Sequence, residues 1–522
     1  MTRPTIGQAE AWRPVALSRL AEGWDRNARM VSAQADTLAA EFSFWAGAAA
    51  DAARLAAKSI VAMADTIARA LVLGAAAARD GAAQIASAQA DLMALVSAAR
   101  SEGFAVDDAG NALIHDAPSS LLVALSGGAP GVAVEMLTAR AGELTRQLGE
   151  ALDRLAAADA DAAADIAEAF VLPAGRDPAV YAGVVAEWPT SSQDRIAEKI
   201  AAMTPEQRQG LIDAFPSRVG NTDGVPWEMR IEANRTNVAQ AVLREPDPRR
   251  LALYRELLGE VDDPAGDHGR LDRQILAFDP SRTSLVELHG SVASASSVAV
   301  LVPGLNTTIN GSAANARTAR RFVSGTGGDV AAITYLGGPF PRGDNLASAL
   351  AAAADPRYAL AMAPRLVAFS EDVDRTVDST GRRIPVTVIG HSYGGSIVGT
   401  AEALGMTSDR TLYVAAAGAG VGVDDPADWH NRNPDVLRFS MTPPGDLIEI
   451  VQGIPGGPHG ADPDEMPGVI PMTAGRYDDG RPMAGPRAHS DVLNAPSDAW
   501  RAILGVITGD IGRDRATSQH AG

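Results

Sequence analysis

The run Val386-Thr387-Val388-Ile389-Gly390-His391-Ser392-Tyr393-Gly394-Gly395-Ser396 carries the most information in this chain. Residues 386–389 are β-branched throughout and read as a strand, whereas 396–404 reads as a helix. Between them Gly390 and Gly394 flank Ser392 in the spacing Gly-x-Ser-x-Gly. So tight a strand-to-helix reversal strains the backbone and presses it against the sheet, so only small flanking residues fit. The turn lifts the serine hydroxyl above the sheet and aims a helix N-terminus at it. Negative charge developing there meets the Tyr393 N–H and a favourable dipole. With 51 glycines in the chain the motif alone also fits a glycine-rich turn around a buried serine. The strand before it and the helix after it favour a nucleophile.

Working outward, short strand-like runs alternate with helical stretches from Gln274 onward: 276–278, 284–288, 298–302, 330–335, 386–389, 412–415, 437–441 and 469–472. Such strands predict a mainly parallel sheet with helices on both faces and chemistry beyond the strand C-termini. Residues 337–364, rich in Pro, Gly and small apolar residues, read either as a cover for the entrance or as an ordinary helix on the sheet.

A serine hydroxyl is a weak nucleophile and needs a base, which in turn needs an orienting carboxylate. On this kind of elbow the two follow the serine in the order acid, histidine. Three histidines follow in the body of the domain: His430, His459 and His489. His489 lies beyond the last strand run and before the terminal helix 497–507, and is the expected base. His459, in Gly-Gly-Pro-His-Gly, precedes that strand and is the main rival, and His430 precedes the acid. For the acid, Asp446 follows strand run 437–441 and the rigid turn Thr442-Pro443-Pro444-Gly445. Asp424 and Asp425, one strand earlier, have a helix-capping role available instead. A second oxyanion donor is expected from Val302-Pro303-Gly304-Leu305-Asn306-Thr307-Thr308, where Gly304 permits the turn. Leu305 N–H is the candidate, with Asn306 fixing the loop through its side chain. His391 is a further residue expected to line the site.

At these residues the chain resembles a family of α/β hydrolases from high-GC Gram-positive bacteria. The runs that carry the resemblance are VLVPGLNTT, VIGHSYGGS, GAGVGVDDPAD, Gly445-Asp446, HGADP from His459 and HSDVL from His489. It extends over roughly residues 172–504 and includes TPEQRQGLIDAFPSRVGNTDGVP. The resemblance implies a Ser392, Asp446, His489 triad and keeps His459 as a site-lining residue.

Upstream, residues 10–171 are alanine-rich with larger apolar residues at helical spacing: Leu17, Leu20, Trp24, then Leu55, Ile60, Met63, Ile67, and later Leu144, Leu148, Leu152, Leu155. A helical hairpin is expected to reverse at Phe44-Trp45-Ala46-Gly47, and a polar segment at 103–119 to interrupt the helices. Trp45 and Gly47 are similar to the Trp-x-Gly hairpins associated with type VII secretion, although no tyrosine is followed four residues later by an acid. An alanine-rich bundle with no link to secretion fits as well. Residues 172–273 carry more Pro, Arg and Trp, with a capped helix start at Thr204-Pro205-Glu206-Gln207.

Composition bounds the rest. A chain of 522 residues is long enough for two or three domains. Net charge −19 disfavours nucleic acid as a partner, and the lack of cysteine excludes disulfides and thiolate chemistry. The expected organisation is an all-α hairpin or bundle domain over 1–171, a helical connector over 172–273, an α/β-hydrolase domain over 274–510 and a tail over 511–522. The expected activity is hydrolysis of an ester or thioester through an acyl-enzyme. An acyltransferase, a peptidase, or a binding or secretion-associated protein working through its helices is the alternative. No metal or organic cofactor is required. The partners expected are a small-molecule or lipid acyl ester and a helical-hairpin protein, with no membrane span. The expected location is cytoplasmic, or exported by a type VII-like route.

Overall fold

The β-branched runs pair into one eight-stranded sheet: β1 (Gln274–Asp279), β2 (Ser284–His289), β3 (Ser297–Val302), β4 (Val330–Leu336), β5 (Val386–His391), β6 (Arg410–Val414), β7 (Leu437–Met441) and β8 (Val469–Pro471), in the order β8-β7-β6-β5-β3-β4-β2-β1. Only β2 runs against the others, pairing antiparallel with both β1 and β4. The computed structural model describes residues 3–41, 46–172, 178–266, 269–452 and 457–511. The central strands β3 and β4 are buried along their whole length, as parallel strands covered on both faces must be. Register aligns the C-terminal ends: Val302 pairs with Gly390, His391 with Val414, and Val414 with Met441. The loops leaving β3, β5 and β7 therefore emerge along one edge of the sheet.

The chain divides into two compact units. The first comprises Met1–Ala174 with Ala239–Pro246 and Tyr254–Gly259; the second comprises Gly175–Val238, Asp247–Leu253 and Glu260–Gly522.

In the first unit α1 (Val15–Glu41) and α2 (Ala48–Ser101) pack together, and α3 (Pro130–Ala169) runs antiparallel to the C-terminal part of α2. Phe44 and Trp45 lie outside the described residues. Gly47 begins α2 at φ 120°, a conformation that favours glycine. Leu148, Leu152 and Leu155 pack with Ile85, Leu92 and Val96 in the core. Close approach of α2 and α3 is set by Gly81, where a Cβ would lie 2.4 Å from that of Ala162. Leu55, Ile60 and Met63 are helical as expected but 72%, 58% and 64% exposed. The reason is length: α3 ends at Ala169, where the Phe170 ring abuts Gly74, so the earlier turns of α2 are covered chiefly by α1. By length and hydropathy α2 is the one described helix able to cross a membrane. The polar segment 103–119 contains a short hairpin, Phe104–Val106 with Ala112–Ile114.

In the second unit, most of the stretch between 175 and 238 is helical. The capping box at Thr204 and Gln207 forms as expected. Helix α4 (Trp227–Arg244), which belongs to this unit as far as Val238, fastens the region to the sheet through Arg230, which is fully buried. Its Nε donates to the Leu276 carbonyl (2.8 Å) and its Nη1 to Asp223 and Asp372 (2.9 and 2.7 Å). Asn234 donates to the Gly220 and Ile275 carbonyls. Around the sheet lie α5 (Ser312–Gly325), α6 (Leu346–Ala353), α7 (Arg357–Ser379), α8 (Tyr393–Ala403), α9 (Ala488–Asn494) and α10 (Asp498–Thr508). Residues 337–364 resolve into a loop, all of α6 and the start of α7.

Candidate active site

Ser392 sits between β5 and α8 at φ 57° and ψ −125°, a strained conformation for a side chain with a Cβ. Surrounding hydrogen bonds hold it there. Its N–H donates to Val414 O (3.0 Å), and its carbonyl accepts from the Gly395 and Ala417 N–H groups. Gly394 is required by proximity, because a Cβ would lie 2.1 Å from Val302 O and 2.5 Å from Pro303 O. As the first residue of α8, Tyr393 presents an N–H with no preceding helical carbonyl to bond.

Gly304 plays a different part from the one expected of it. The left-handed residue in its loop is Asn306, at φ 64°, so Gly304 is not what allows the turn. It is needed for close approach: a Cβ there would lie 2.6 Å from Ser392 Cβ and 2.9 Å from Ser392 Oγ. That approach carries Leu305 past the serine, and among the described residues the Leu305 N–H has no backbone acceptor. Asn306 fixes the loop as expected. Its N–H donates to Pro341 O and its Oδ1 accepts from Gly343 N–H, both at 2.9 Å.

Asp446 and His489, 43 residues apart in sequence, meet at the same edge. The His489 Nδ1–H donates to Asp446 Oδ2 at 2.8 Å, and the carboxylate is almost completely buried. The other oxygen, Asp446 Oδ1, accepts from Ile448 N–H (3.0 Å). Gly445, at φ 74°, turns the chain into the acid, and Gly485 N–H donates to Pro444 O (2.8 Å), joining the acid turn to the segment leading to His489. His489 itself lies in the first turn of α9. With Nδ1 donating, Nε2 of the neutral ring is left as an acceptor.

His391 enters this arrangement from the nucleophile side. Its Nε2–H donates to the His489 carbonyl at 2.8 Å, and the two rings lie 5.0 Å apart. Burial, then the neighbouring His489, push its pKa down to about 4, so the ring is neutral. Its position between Gly390 and Ser392 was visible in sequence, but nothing there indicated its bond to His489.

His459 is placed beneath α8. Its Nε2–H donates to Ala353 O (2.5 Å), its Nδ1 accepts from Ser396 Oγ (2.7 Å), and its ring meets Tyr393 edge-on at 5.1 Å. Both nitrogens are thus engaged, and burial lowers its pKa. His430 is tied by its N–H to Glu402 O, nine residues along α8 and about 13 Å from the elbow. Asp425 caps a short 3-10 turn through Ala427 N–H.

Residues 279–454 match an alpha/beta hydrolase family. The match takes in β2 to β7, the serine elbow and Asp446. His489 lies beyond it. Over 247 residues the chain is 28% identical to two Mycobacterium tuberculosis proteins described as uncharacterized, MT2140 of strain CDC 1551 / Oshkosh and Rv2079 of strain ATCC 25618 / H37Rv. That similarity covers 39% of this chain and 36% of each relative, so the chain spans about a third of their length. The crystal structure of TT1662 from Thermus thermophilus is similar at 13% identity and a TM-score of 0.21, over 39% of this chain and 90% of that one. On the family match and its own mostly parallel sheet flanked by helices, the second unit contains an α/β-hydrolase domain, and a long helical region precedes it in the chain.

Proposed function

We propose that the hydrolase domain is a serine hydrolase that cleaves an ester or thioester through an acyl-enzyme. The observation that carries this reading is the 2.8 Å bond from His489 Nδ1 to buried Asp446, made at the sheet edge where Ser392 is held at φ 57°. The bond fixes the imidazole tautomer, leaving Nε2 to accept the Ser392 Oγ proton as Oγ attacks the acyl carbon. Asp446 stabilises the resulting imidazolium, and the N–H groups of Leu305 and Tyr393 receive the oxyanion. His489 returns the proton to the leaving alcohol or thiol. Water then repeats the sequence on the acyl-enzyme, releasing the acid and free Ser392.

The test is labelling of the full chain with a fluorophosphonate, followed by peptide mapping. Modification is expected at Ser392, abolished in Ser392→Ala and weakened at least ~100-fold in His489→Ala. Undiminished labelling of Ser392→Ala would overturn the assignment. Comparing p-nitrophenyl acetate with longer p-nitrophenyl esters then measures acyl-chain preference.

A further inference from the structure

Two strands across the sheet from the serine elbow, roughly 10 Å away at normal strand spacing, a cavity of about 280 Å³ opens between β1, β2, β4 and α7. Tyr335, the penultimate residue of β4, lines it and is only 2% exposed. Among the described residues its hydroxyl has no hydrogen-bond partner. The oxygen opens on the cavity rather than being sealed in protein, so it can donate to an occupant as it does to solvent. Two glycines keep the space clear: a Cβ on Gly337 would lie 2.3 Å from the Tyr335 oxygen, and one on Gly338 would lie 2.9 Å from Arg365 Nη1.

The lining is charged as well as polar. Arg365 donates one Nη1–H to Gly337 O (2.8 Å) and lines the cavity. Arg282 is exposed and also lines it. Arg230 is neutralised within a cluster of Asp223, Asp372 and Arg375, so the charges left on the lining are Arg282 and Arg365 against Asp279, a net charge of +1. Arg282 and Arg365 are the cations left for a ligand. A monoanion balances this lining, whereas a dianion such as phosphate meets repulsion from the Asp223 and Asp279 carboxylates. Tyr335 O–H remains protonated, its pKa raised by burial, and so acts as a donor. Asp223, with one oxygen on Arg230, offers an acceptor to a ligand hydroxyl.

We propose that this cavity is a binding site for a small hydroxy monocarboxylate, its carboxylate held by Arg365, Arg282 and Tyr335 and its hydroxyl by Asp223. The volume, near the lower end for small-molecule sites, suits a compact organic acid. The site is independent of the serine chemistry, so Ser392→Ala retains it.

Binding of lactate, glycerate and mandelate to the full chain, measured by saturation-transfer NMR and calorimetry, tests this, with phosphate and lactamide as controls. At least one of the three acids is expected to bind with submillimolar Kd, and phosphate and lactamide at least tenfold more weakly. Tyr335→Phe and Arg282→Ala are each expected to weaken that acid at least tenfold. Arg282 is exposed, so its substitution leaves the fold intact, and the melting temperature checks Tyr335→Phe. Failure of all three acids to bind at 10 mM, equal binding of phosphate or lactamide, or unchanged affinity in both variants would overturn the proposal.

Discussion

His391 stands one position before the nucleophile yet bonds to the backbone of the proposed base, making it a positioning residue for His489. The Nε2–H to His489 carbonyl bond joins the serine elbow to α9. Removing it in His391→Ala is expected to lower kcat against a p-nitrophenyl ester about 10- to 100-fold with little change in KM, because orientation is lost and ground-state binding is not. His391→Gln can still donate from its side-chain amide and should recover most of that loss. The native ring, held to a pKa of about 4, is neutral above pH 5, so the glutamine variant should also keep the shape of the pH–rate profile. Equal kcat in wild type and His391→Ala would remove the positioning role. In sequence this residue was expected only to line the site, because a contact spanning 98 residues has no local signature. Ser392 and Gly394 were legible because their requirement is local, a strained turn against a sheet. Gly304 was legible only in part: its small size was apparent, but the atoms it must avoid belong to Ser392, 88 positions away.

At the scale of elements, all eight strand runs form, and the inner strands β3 and β4 were the most readable because strands covered on both faces are largely apolar or β-branched. The short hairpin at 104–114 was not, since three-residue strands offer too few positions for an alternating pattern. The attachment of α4 to α7 was also hidden, because it depends on Asp372. This carboxylate, 2% exposed, accepts from Gly224 N–H (2.7 Å), Trp227 Nε1–H (2.8 Å) and Arg230 Nη1–H (2.7 Å). Asp372→Ala leaves a buried guanidinium short of its closest counter-charge, which typically costs about 3–5 kcal/mol. Asp272→Ala breaks the more exposed pair with Arg235 and should cost about 1 kcal/mol or less. Urea melts followed by tryptophan fluorescence are expected to rank the two variants in that order, and a similar midpoint for both would show that Asp372 is not what fastens α4.

Across the whole molecule, the alternation of strands and helices from residue 274 onward was legible as a sheet, but the charges buried beside that sheet carried no local pattern. Glu287 on β2 receives a bidentate pair of hydrogen bonds from Arg273, at 2.8 and 2.9 Å, with Arg320 of α5 3.8 Å away. His289, two residues on and 3% exposed, has its Nδ1 3.9 Å from the same carboxylate and its Nε2 without a partner among the described residues. Burial is the largest influence on this imidazole and lowers its pKa to about 4; Glu287 opposes the shift, while Arg320 and Arg273 add to it. The folded histidine thus resists a proton that the unfolded chain accepts at about 6.5. This contribution vanishes above pH 6.5, disfavours the folded state progressively as pH falls toward 4, and levels off below that. At pH 5 it amounts to about 2 kcal/mol. Other groups bear on that window: Asp223, raised to about 6 by burial, acts with the opposite sign, and His391 and His459, both lowered by burial, act with the same sign. The pKa of Glu287 is lowered, so the stability linked to its ionisation is lost only below about pH 4.5. The wild-type curve therefore sums several terms, and the histidine term is isolated by comparison with His289→Gln. Between pH 7 and pH 5, wild-type unfolding free energy from urea titration is expected to fall by about 2 kcal/mol more than that of the variant. Parallel pH dependence in the two proteins would mean that the ring at position 289 takes up its proton as readily folded as unfolded.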